Sequence, residues 1–196
     1  MSRKAAKFYS KGAEEFDKNF DIENIDQDYK RQVEEFSSKV ESGKILDAGC
    51  GAGRDTAFLT TRGFRVVGVD LSEKMLELAR EKQGEYRKMD LRDLRFDENQ
   101  FDGVLSNQSL IFLPKDDMKE AIKEISRVLK PKGYQFLGLK KGEGTYKREK
   151  YGSEITQYQL TEKEAEDLLT EFEILEKNIT ERENLPDFMN ILARKK

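Results

Sequence analysis

The sequence contains no histidine, no tryptophan, one cysteine and three prolines among its 196 residues. The absence of histidine excludes histidine-based triads, histidine metal ligands and the commonest general base. A single cysteine excludes an internal disulfide and a multi-cysteine metal site, so we expect no metal centre. If the reaction needs a general base, it must be Asp, Glu, Tyr or Lys, and the sequence does not choose among them.

Long apolar runs and a large excess of one charge are also missing. Lys and Arg total 36 and Asp and Glu total 39, a net charge of −3, so nothing overall predicts binding to nucleic acid or to a membrane surface. No apolar run approaches the roughly 20 residues that a membrane span needs, and the N-terminal residues lack the apolar core of a signal peptide. We therefore expect a cytoplasmic protein; the sequence predicts nothing about its oligomeric state.

Charged residues make up 38% of the chain and hydrophobic residues 36%. The length suits one domain, and the apolar residues recur periodically rather than at random. This composition predicts a compact domain with a heavily charged surface.

The most informative stretch is 44–54, with the sequence KILDAGCGAGR. Its apolar start predicts the end of a buried strand, and Gly49, Gly51 and Gly53 then predict a sharp turn into a helix. Because glycine has no Cβ, the backbone there can pass close to a ligand, and the N–H groups of a helix N-terminus face the same place. The stretch therefore predicts a site for the anionic or polar end of a cofactor.

Predicted strands and helices alternate from residue 44 to about 172, and a pair of strands follows. This alternation predicts an α/β fold with a mostly parallel sheet and helices on both faces. The predicted strands end near residues 46, 70, 89, 106, 139, 179 and 193.

The two ends of this core differ from it in pattern. Apolar spacing predicts one helix over residues 1–20 and another up to Val40, so we expect an N-terminal helical cap over residues 1–42 before a core over 43–196. Residues 140–157, rich in Lys, Arg and Gly, predict a flexible loop on the ligand-facing side. A solvated loop is the simpler interpretation of those charges, and its two tyrosines leave a role in an acceptor pocket open.

Polar residues follow several of the predicted strands directly. They are Asp47 in the first turn, Asp70, Asp90, and Ser106 with Asn107. In open α/β sheets, ligands bind at the carboxyl ends of the strands, so we expect these side chains to share one site.

The spacing of the glycines separates two candidate cofactors. A dinucleotide fingerprint, G-x-G-x-x-G, would need its third glycine at position 54, and that residue is Arg54. An adenosyl ligand without phosphates accounts for the polar residues better. Asp70 would accept hydrogen bonds from both ribose hydroxyls. Asp90 would accept from the purine amine, the Leu91 N–H would donate to a ring nitrogen, and Leu71 and Met75 would enclose the ring.

The remaining candidates lie at the other end of this ligand. The turn at Gly49 and Gly51, with Arg54 nearby, would receive an amino-acid carboxylate. Asp47 would orient the loop amides or meet the ligand's amino group, and Asn107 would touch the cofactor or the acceptor.

Each acidic or basic candidate also has a structural interpretation. Asp70 could cap the next helix, although Ser72 suits that position better. Asp90 could belong to a solvated charged run, and Arg54 could pair with a surface carboxylate.

Five stretches together resemble the class I S-adenosylmethionine-dependent methyltransferases: residues 45–54, 69–76, 89–91, 101–105 and 128–133. The resemblance implies a doubly wound, Rossmann-like, seven-stranded sheet of order 3-2-1-4-5-7-6 with strand 7 antiparallel. It also implies in-line methyl transfer from S-adenosylmethionine to a small-molecule acceptor, with S-adenosylhomocysteine as the product. The chain departs from the family's Pro-Gly-Gly turn at Lys132.

Three alternatives stay open at this point. A nicotinamide oxidoreductase is disfavoured by Arg54, whereas a non-catalytic module that binds S-adenosylmethionine agrees with the lack of a visible base. A nucleic-acid methyltransferase is disfavoured because Asn107-Gln-Ser-Leu stands where a base-flipping Asn-Pro-Pro-Tyr motif would lie.

Overall fold

The computed structural model describes residues 2–19 and 26–196. The helices of this part are α1 (Arg3–Lys11), α2 (Ala13–Asn19), α3 (Gln27–Val40), α4 (Arg54–Thr61), α5 (Glu73–Ala79), α6 (Lys115–Val128) and α7 (Glu162–Leu168). Its strands are β1 (Lys44–Ala48), β2 (Arg65–Asp70), β3 (Glu85–Lys88), β4 (Phe101–Asn107), β5 (Leu129–Lys140), β6 (Thr145–Lys150), β7 (Ser153–Tyr158), β8 (Phe172–Thr180) and β9 (Phe188–Lys195).

Seven of the strands form one sheet in the order β3-β2-β1-β4-β5-β9-β8. The pairs from β3 to β5 are parallel, and β9 runs antiparallel to both β5 and β8. Counted without the separate β6–β7 hairpin, this order is 3-2-1-4-5-7-6 with strand 7 antiparallel. The predicted fold class is therefore confirmed.

Helices cover both faces of the sheet because parallel strands need crossover connections. On one face, Phe36 of α3 packs with Ile45 of β1 and Phe136 of β5, and its ring centroid lies 6.3 Å from that of Phe136. The apolar residues of α6 and α7 join a second, larger core. Complete burial of each such side chain stabilises the fold by about 1.5–3 kcal/mol.

Local capping explains where two of these helices begin. Ser72 accepts a 3.3 Å hydrogen bond from the Met75 N–H at the start of α5. At α7, the Glu164 N–H donates to the Thr161 hydroxyl at 3.2 Å, and the Thr161 N–H donates to the Glu164 carboxylate at 2.9 Å. The cap at Ser72 was predicted from the sequence and is confirmed, and Thr161 with Glu164 forms a capping box.

The prediction of a flexible loop over residues 140–157 is wrong, because most of this segment is the antiparallel β6–β7 hairpin. The hairpin turns through Tyr151 and Gly152, whose φ angles are +54° and +63°. Two adjacent left-handed residues form the tight turn whose twist matches paired strands. Along β6, half-buried Tyr146 and Arg148 alternate with exposed neighbours, a strand period that the density of charged residues concealed.

Two boundaries also differ from expectation. The N-terminal spacing predicts one helix over residues 1–20, but α1 and α2 are separate because the chain turns at Gly12, whose N–H donates to the Tyr9 carbonyl at 3.2 Å. Residue 20 lies outside the described residues. The predicted turn at residues 130–133 lies within β5, where Lys132 has a φ of +63°. The division into a cap of 1–42 and a core of 43–196 stays a prediction.

Among the residues that the structure describes, no helix is long and apolar enough to cross a membrane.

Candidate functional site

The loop between β1 and α4 holds three glycines in left-handed conformations. The φ angles of Gly49, Gly51 and Gly53 are +93°, +54° and +83°. A Cβ at Gly49 would lie 2.2 Å from the Cβ of Ser109, whose hydroxyl donates to the Ala48 carbonyl at 2.7 Å. Glycine is therefore required at position 49 both by the backbone and by the packing against the segment after β4.

Most of the loop N–H groups are already used within the protein. The N–H groups of Gly49 and Cys50 both donate to the Val69 carbonyl, at 2.8 and 3.0 Å, and the Gly53 N–H donates to the Cys50 carbonyl at 2.9 Å. These three groups are not available to an anion, contrary to the expectation for this turn. Their effect is to hold the loop close to the end of β2.

Asp70, the last residue of β2, lies beside the loop. Its carboxylate accepts a 3.1 Å hydrogen bond from the Gly51 N–H and a 2.8 Å hydrogen bond from the Ser72 N–H. Burial raises the pKa of Asp70, and these hydrogen bonds partly oppose that shift. Because an ionised carboxylate has about four acceptor positions, about two remain for a ligand.

Asp47 lies beneath the loop and is almost completely buried. It accepts a 2.7 Å hydrogen bond from the Thr56 hydroxyl on α4. Burial, followed by the nearby charge of Asp55, raises the pKa of Asp47 to about 8. Asp47 therefore joins β1 to α4 from below the site.

Arg54 is paired, and its partner is its own neighbour in the chain. The Arg54 Nε and Nη2 atoms donate to the Asp55 carboxylate at 2.8 and 3.1 Å. The guanidinium also lies 4.9 Å from the ring centroid of Tyr29. Both charged side chains are mostly buried, with exposed fractions of 18% and 11%, so this is not the surface pair that the sequence suggested as an alternative.

A cavity of about 650 Å³ lies at the carboxyl ends of the central strands. Six of the ten residues predicted to bind a cofactor line it: Gly49, Gly51, Arg54, Asp70, Met75 and Asn107. The other four do not line it: Asp47, Leu71, Asp90 and Leu91. The structure therefore brings together the residues of the first, second and fourth strand ends.

Asp90 is engaged by a neighbouring arginine. Its carboxylate accepts hydrogen bonds from the Arg92 backbone N–H at 3.1 Å, Nε at 3.0 Å and Nη2 at 2.7 Å. Partial burial alone would raise the pKa of Asp90, but these hydrogen bonds outweigh it and lower that pKa. Leu91 is only 1% exposed and belongs to the core.

Aromatic residues of α1 and α2 line the cavity next to the glycine loop. The Tyr9 ring centroid lies 5.4 Å from those of both Phe16 and Phe112. The Ser10 and Ser72 hydroxyls lie 2.9 Å apart and attach α1 to the start of α5. The N-terminal helices thus cover the part of the cavity that contains Asp70.

Another part of the cavity lining comes from β5, the β6–β7 hairpin and the residues around the start of β9. Its charged and aromatic lining includes Lys140, Arg148, Arg182 and Phe188. This group was not predicted from the sequence, because Lys140 and Arg148 were assigned to a solvated loop. The period-two alternation of β6 is the sequence signal that could have placed Arg148 on the inner side.

Residues 45–133 match the family model of the methyltransferase domain. This part of the chain is therefore a methyltransferase domain, and the seven-stranded sheet with its glycine loop confirms the predicted resemblance to the class I S-adenosylmethionine-dependent methyltransferases.

Individual relatives agree with this assignment. The chain is 39% identical to a putative methyltransferase, YqeM, of Bacillus subtilis over 50% of this chain and 42% of that protein. It is 33% identical to a fatty-acid O-methyltransferase of Mycolicibacterium smegmatis over 48% of this chain and 36% of that protein. The chain therefore spans less than half the length of these curated relatives.

Among solved structures, the chain is similar to an S-adenosylmethionine-dependent methyltransferase of Methanosarcina mazei. The two share 25% sequence identity and superpose with a TM-score of 0.72, covering 78% of this chain and 92% of the other.

Proposed function

We propose that this chain transfers a methyl group from S-adenosylmethionine to a small-molecule acceptor. The observation that carries the proposal is one continuous cavity that is lined by Gly51 and Asp70 and also by the cationic residues around Phe188. Its volume of about 650 Å³ falls within the roughly 300–1,000 Å³ typical of small-molecule sites. We assign the lining around Gly51 and Asp70, the first end of the cavity, to the cofactor and the remaining lining to the acceptor.

The residues at the first end fit an adenosyl group. The free acceptor positions of Asp70 suit the two ribose hydroxyls, and Met75 provides an apolar surface for the purine. At Gly51, a Cβ would meet only the Phe16 ring, at 3.8 Å, so the backbone borders open space. The roles of Asp90 and Leu91 toward the purine, and of Arg54 toward the carboxylate, stay predictions.

The bound cofactor supplies a methyl group already activated by a sulfonium. The protein therefore has to align the acceptor with that methyl group and keep water out. Alignment alone can lower a reaction barrier by about 7–11 kcal/mol. The helices α1 and α2 cover the cofactor end and the β6–β7 hairpin lines the other end, which suits this role.

A small acceptor agrees with the size of the cavity. The name of the Mycolicibacterium smegmatis relative gives a fatty acid as its acceptor, which is an example of such a molecule. No side chain is assigned as general base.

The test measures binding and turnover separately. Calorimetric titration should show binding of S-adenosylmethionine and S-adenosylhomocysteine but not of NAD. Replacing the ribose-binding carboxylate in Asp70→Asn should weaken binding of S-adenosylmethionine roughly tenfold or more, because a charge-assisted acceptor is lost. The melting temperature of each variant is recorded to check that it folds.

Asp102→Asn is the matched control, since Asp102 accepts from the Lys44 N–H at the opposite end of β1 and should leave cofactor affinity unchanged. Equal affinity of wild type and a folded Asp70→Asn for S-adenosylmethionine would remove the ribose assignment. Formation of S-adenosylhomocysteine with a panel of acceptors tests catalysis. Binding without turnover on any acceptor would support the non-catalytic module instead.

A further inference from the structure

Three cationic side chains lie close together in the lining of the cavity. Lys140 ends β5, Arg148 lies on the inner side of β6, and Arg182 follows β8. Within residues 2–19 and 26–196, none of the three forms an ion pair with a carboxylate. Their neighbours in sequence do: Lys141 pairs with Glu162, and Lys147 pairs with Glu154.

Two of the three cations converge on one aromatic ring. Lys140 Nζ lies 3.7 Å from the ring centroid of Phe188, and the guanidinium carbon of Arg182 lies 4.4 Å from it. Such cation–π contacts hold both charges beside the same ring. Like charges held this close repel each other unless an anion lies between them.

The burial of Lys140 makes this arrangement costly without a ligand. Lys140 is only 6% exposed. Burial lowers the pKa of Lys140 to about 7, and the charges of Arg182 and Arg148 act in the same direction. A buried cation is normally either paired or neutralised, and an anionic ligand would supply the partner that the described residues do not provide.

The same part of the cavity also contains unpaired hydrogen-bond acceptors. Asn190 donates to the Gln32 side chain at 2.9 Å, but its own Oδ1 atom is buried and has no donor. The Oε1 atom of Gln108 is likewise buried without a donor, whereas its Nε2 donates to the Leu139 carbonyl. Both residues line the cavity. A ligand with a hydroxyl or N–H group would satisfy them.

Acidic residues line the same cavity: Asp70 accepts from the Gly51 N–H, and Asp55 lies at the start of α4. We propose that the acceptor is a small organic acid, whose carboxylate binds to Lys140, Arg148 and Arg182 and whose second polar group donates to Asn190 or Gln108. This proposal depends on the proposed function.

The experiment uses the full chain and begins with binding of S-adenosylhomocysteine. The saturated protein is then titrated by calorimetry with 4-hydroxybenzoate and, separately, with 4-hydroxybenzamide, which has nearly the same shape without the charge. The acid should bind roughly tenfold or more tightly than the amide, as expected for a charge-assisted contact.

Variants then test which side chains recognise the carboxylate of the acid. The preference for the acid should disappear in the double variant Arg148→Gln/Arg182→Gln and persist in Arg148→Lys/Arg182→Lys, which keeps both charges. Lys147→Gln is the matched control, because Lys147 is exposed on the outer side of the same hairpin strand. The conservative double variant also separates charge loss from misfolding.

The two proposals fail in different ways. If the protein does not bind S-adenosylhomocysteine, the proposed function is wrong. If it does, but the acid and the amide bind equally or neither binds, the anionic acceptor is wrong. The same conclusion follows if Lys147→Gln removes the preference as completely as the double glutamine variant does.

Discussion

The phenol of Tyr29 donates a 2.8 Å hydrogen bond to Oδ2 of Asp55 and thereby joins α3 to the start of α4. Asp55 also accepts two hydrogen bonds from Arg54. Burial, followed by the charge of Asp55, raises the pKa of Tyr29 well above its ordinary value, so the phenol stays protonated and remains a donor. All three residues line the cavity, so this contact supports one wall of the site.

Replacing this donor in Tyr29→Phe should destabilise the protein. Asp55 loses one of its three hydrogen bonds in a buried setting, and a hydrogen bond to a charged group contributes about 1.5–3 kcal/mol. The free energy of unfolding, measured by urea denaturation, should fall by about that amount. Tyr158→Phe is the control, because Tyr158 makes no side-chain hydrogen bond in the described structure. Equal losses in the two variants would show that the Tyr29–Asp55 contact contributes nothing specific.

A comparison of Gly49 with Gly63 separates the energetic cost of backbone strain from the cost of a packing clash. Gly49 and Gly63 have nearly the same φ, +93° and +89°, but a Cβ at Gly49 meets Ser109 at 2.2 Å and a Cβ at Gly63 meets nothing within 4 Å. Gly63→Ala should lower the free energy of unfolding by about 1–2 kcal/mol through backbone strain alone. Gly49→Ala should lose about 1–3 kcal/mol more through overpacking.

Calorimetric melting of the two alanine variants tests this difference. A loss at Gly49 no larger than at Gly63 would mean that Ser109 moves aside freely, and the loop would then be less rigid than its contacts indicate.

The fold could be predicted because its signals are local. Each of these signals occupies only a few consecutive residues. They are the period-two alternation of the strands, the caps at Ser72 and Thr161, and the spacing of the glycines. Asp90 is a case in which the sequence predicted the position but not the contacts. It follows β3 as predicted, but its carboxylate accepts hydrogen bonds from Arg92, two residues later.

The cationic end of the cavity could not be predicted in this way. Lys140, Arg148 and Arg182 lie on three different segments and meet only because β9 lies between β5 and β8 in the sheet and the hairpin folds back. No spacing pattern in the sequence indicates that these three side chains lie close together. The charges of 140–157 also resemble those of a solvated loop, so the strand alternation of β6 was overlooked.

The hairpin and α1 contact each other through Gly12 and Tyr151. A Cβ at Gly12 would lie 2.1 Å from Cδ1 of Tyr151, and the Tyr151 ring centroid lies 5.4 Å from that of Phe8. The φ of Gly12 is −119°, so alanine causes no backbone strain there. Gly12→Ala should therefore destabilise the protein by about 1–3 kcal/mol solely by displacing the Tyr151 ring.

A double-mutant cycle checks this cause. Once Tyr151→Gly has removed the ring, adding Gly12→Ala should cost almost nothing, so the two losses should not add. The free energies of unfolding of the two single variants and the double variant give the coupling. Additive losses would place the effect of Gly12→Ala somewhere other than Tyr151.

The pKa of Asp47 predicts a pH dependence of stability. Burial, followed by the charge of Asp55, raises this pKa from an ordinary value of 3.8 to about 8. Between these two values the folded state binds more protons than the unfolded state, so the free energy of unfolding falls as the pH rises. One such group contributes at most about 1.4 kcal/mol per pH unit. Asp70, whose pKa is also raised, contributes with the same sign.

Asp47→Asn should remove the contribution of Asp47, because an amide does not titrate there and its oxygen can still accept from Thr56. The variant should therefore gain stability relative to wild type as the pH rises from about 4 to 8, and the difference should become constant above that.

Asp102→Asn should behave differently in the same urea titrations. Partial burial alone would raise the pKa of Asp102, but the hydrogen bonds from Lys130 and from the Lys44 N–H outweigh it and lower that pKa. Its stabilising contribution is complete above the ordinary pKa of 3.8 and is lost only as the pH falls through the lower folded value. The difference between Asp102→Asn and wild type should therefore stay constant from about pH 5 to 8. If Asp47→Asn shows the same flat difference, Asp47 is ionised in the folded protein at neutral pH, and the carboxylate beneath the glycine loop is charged.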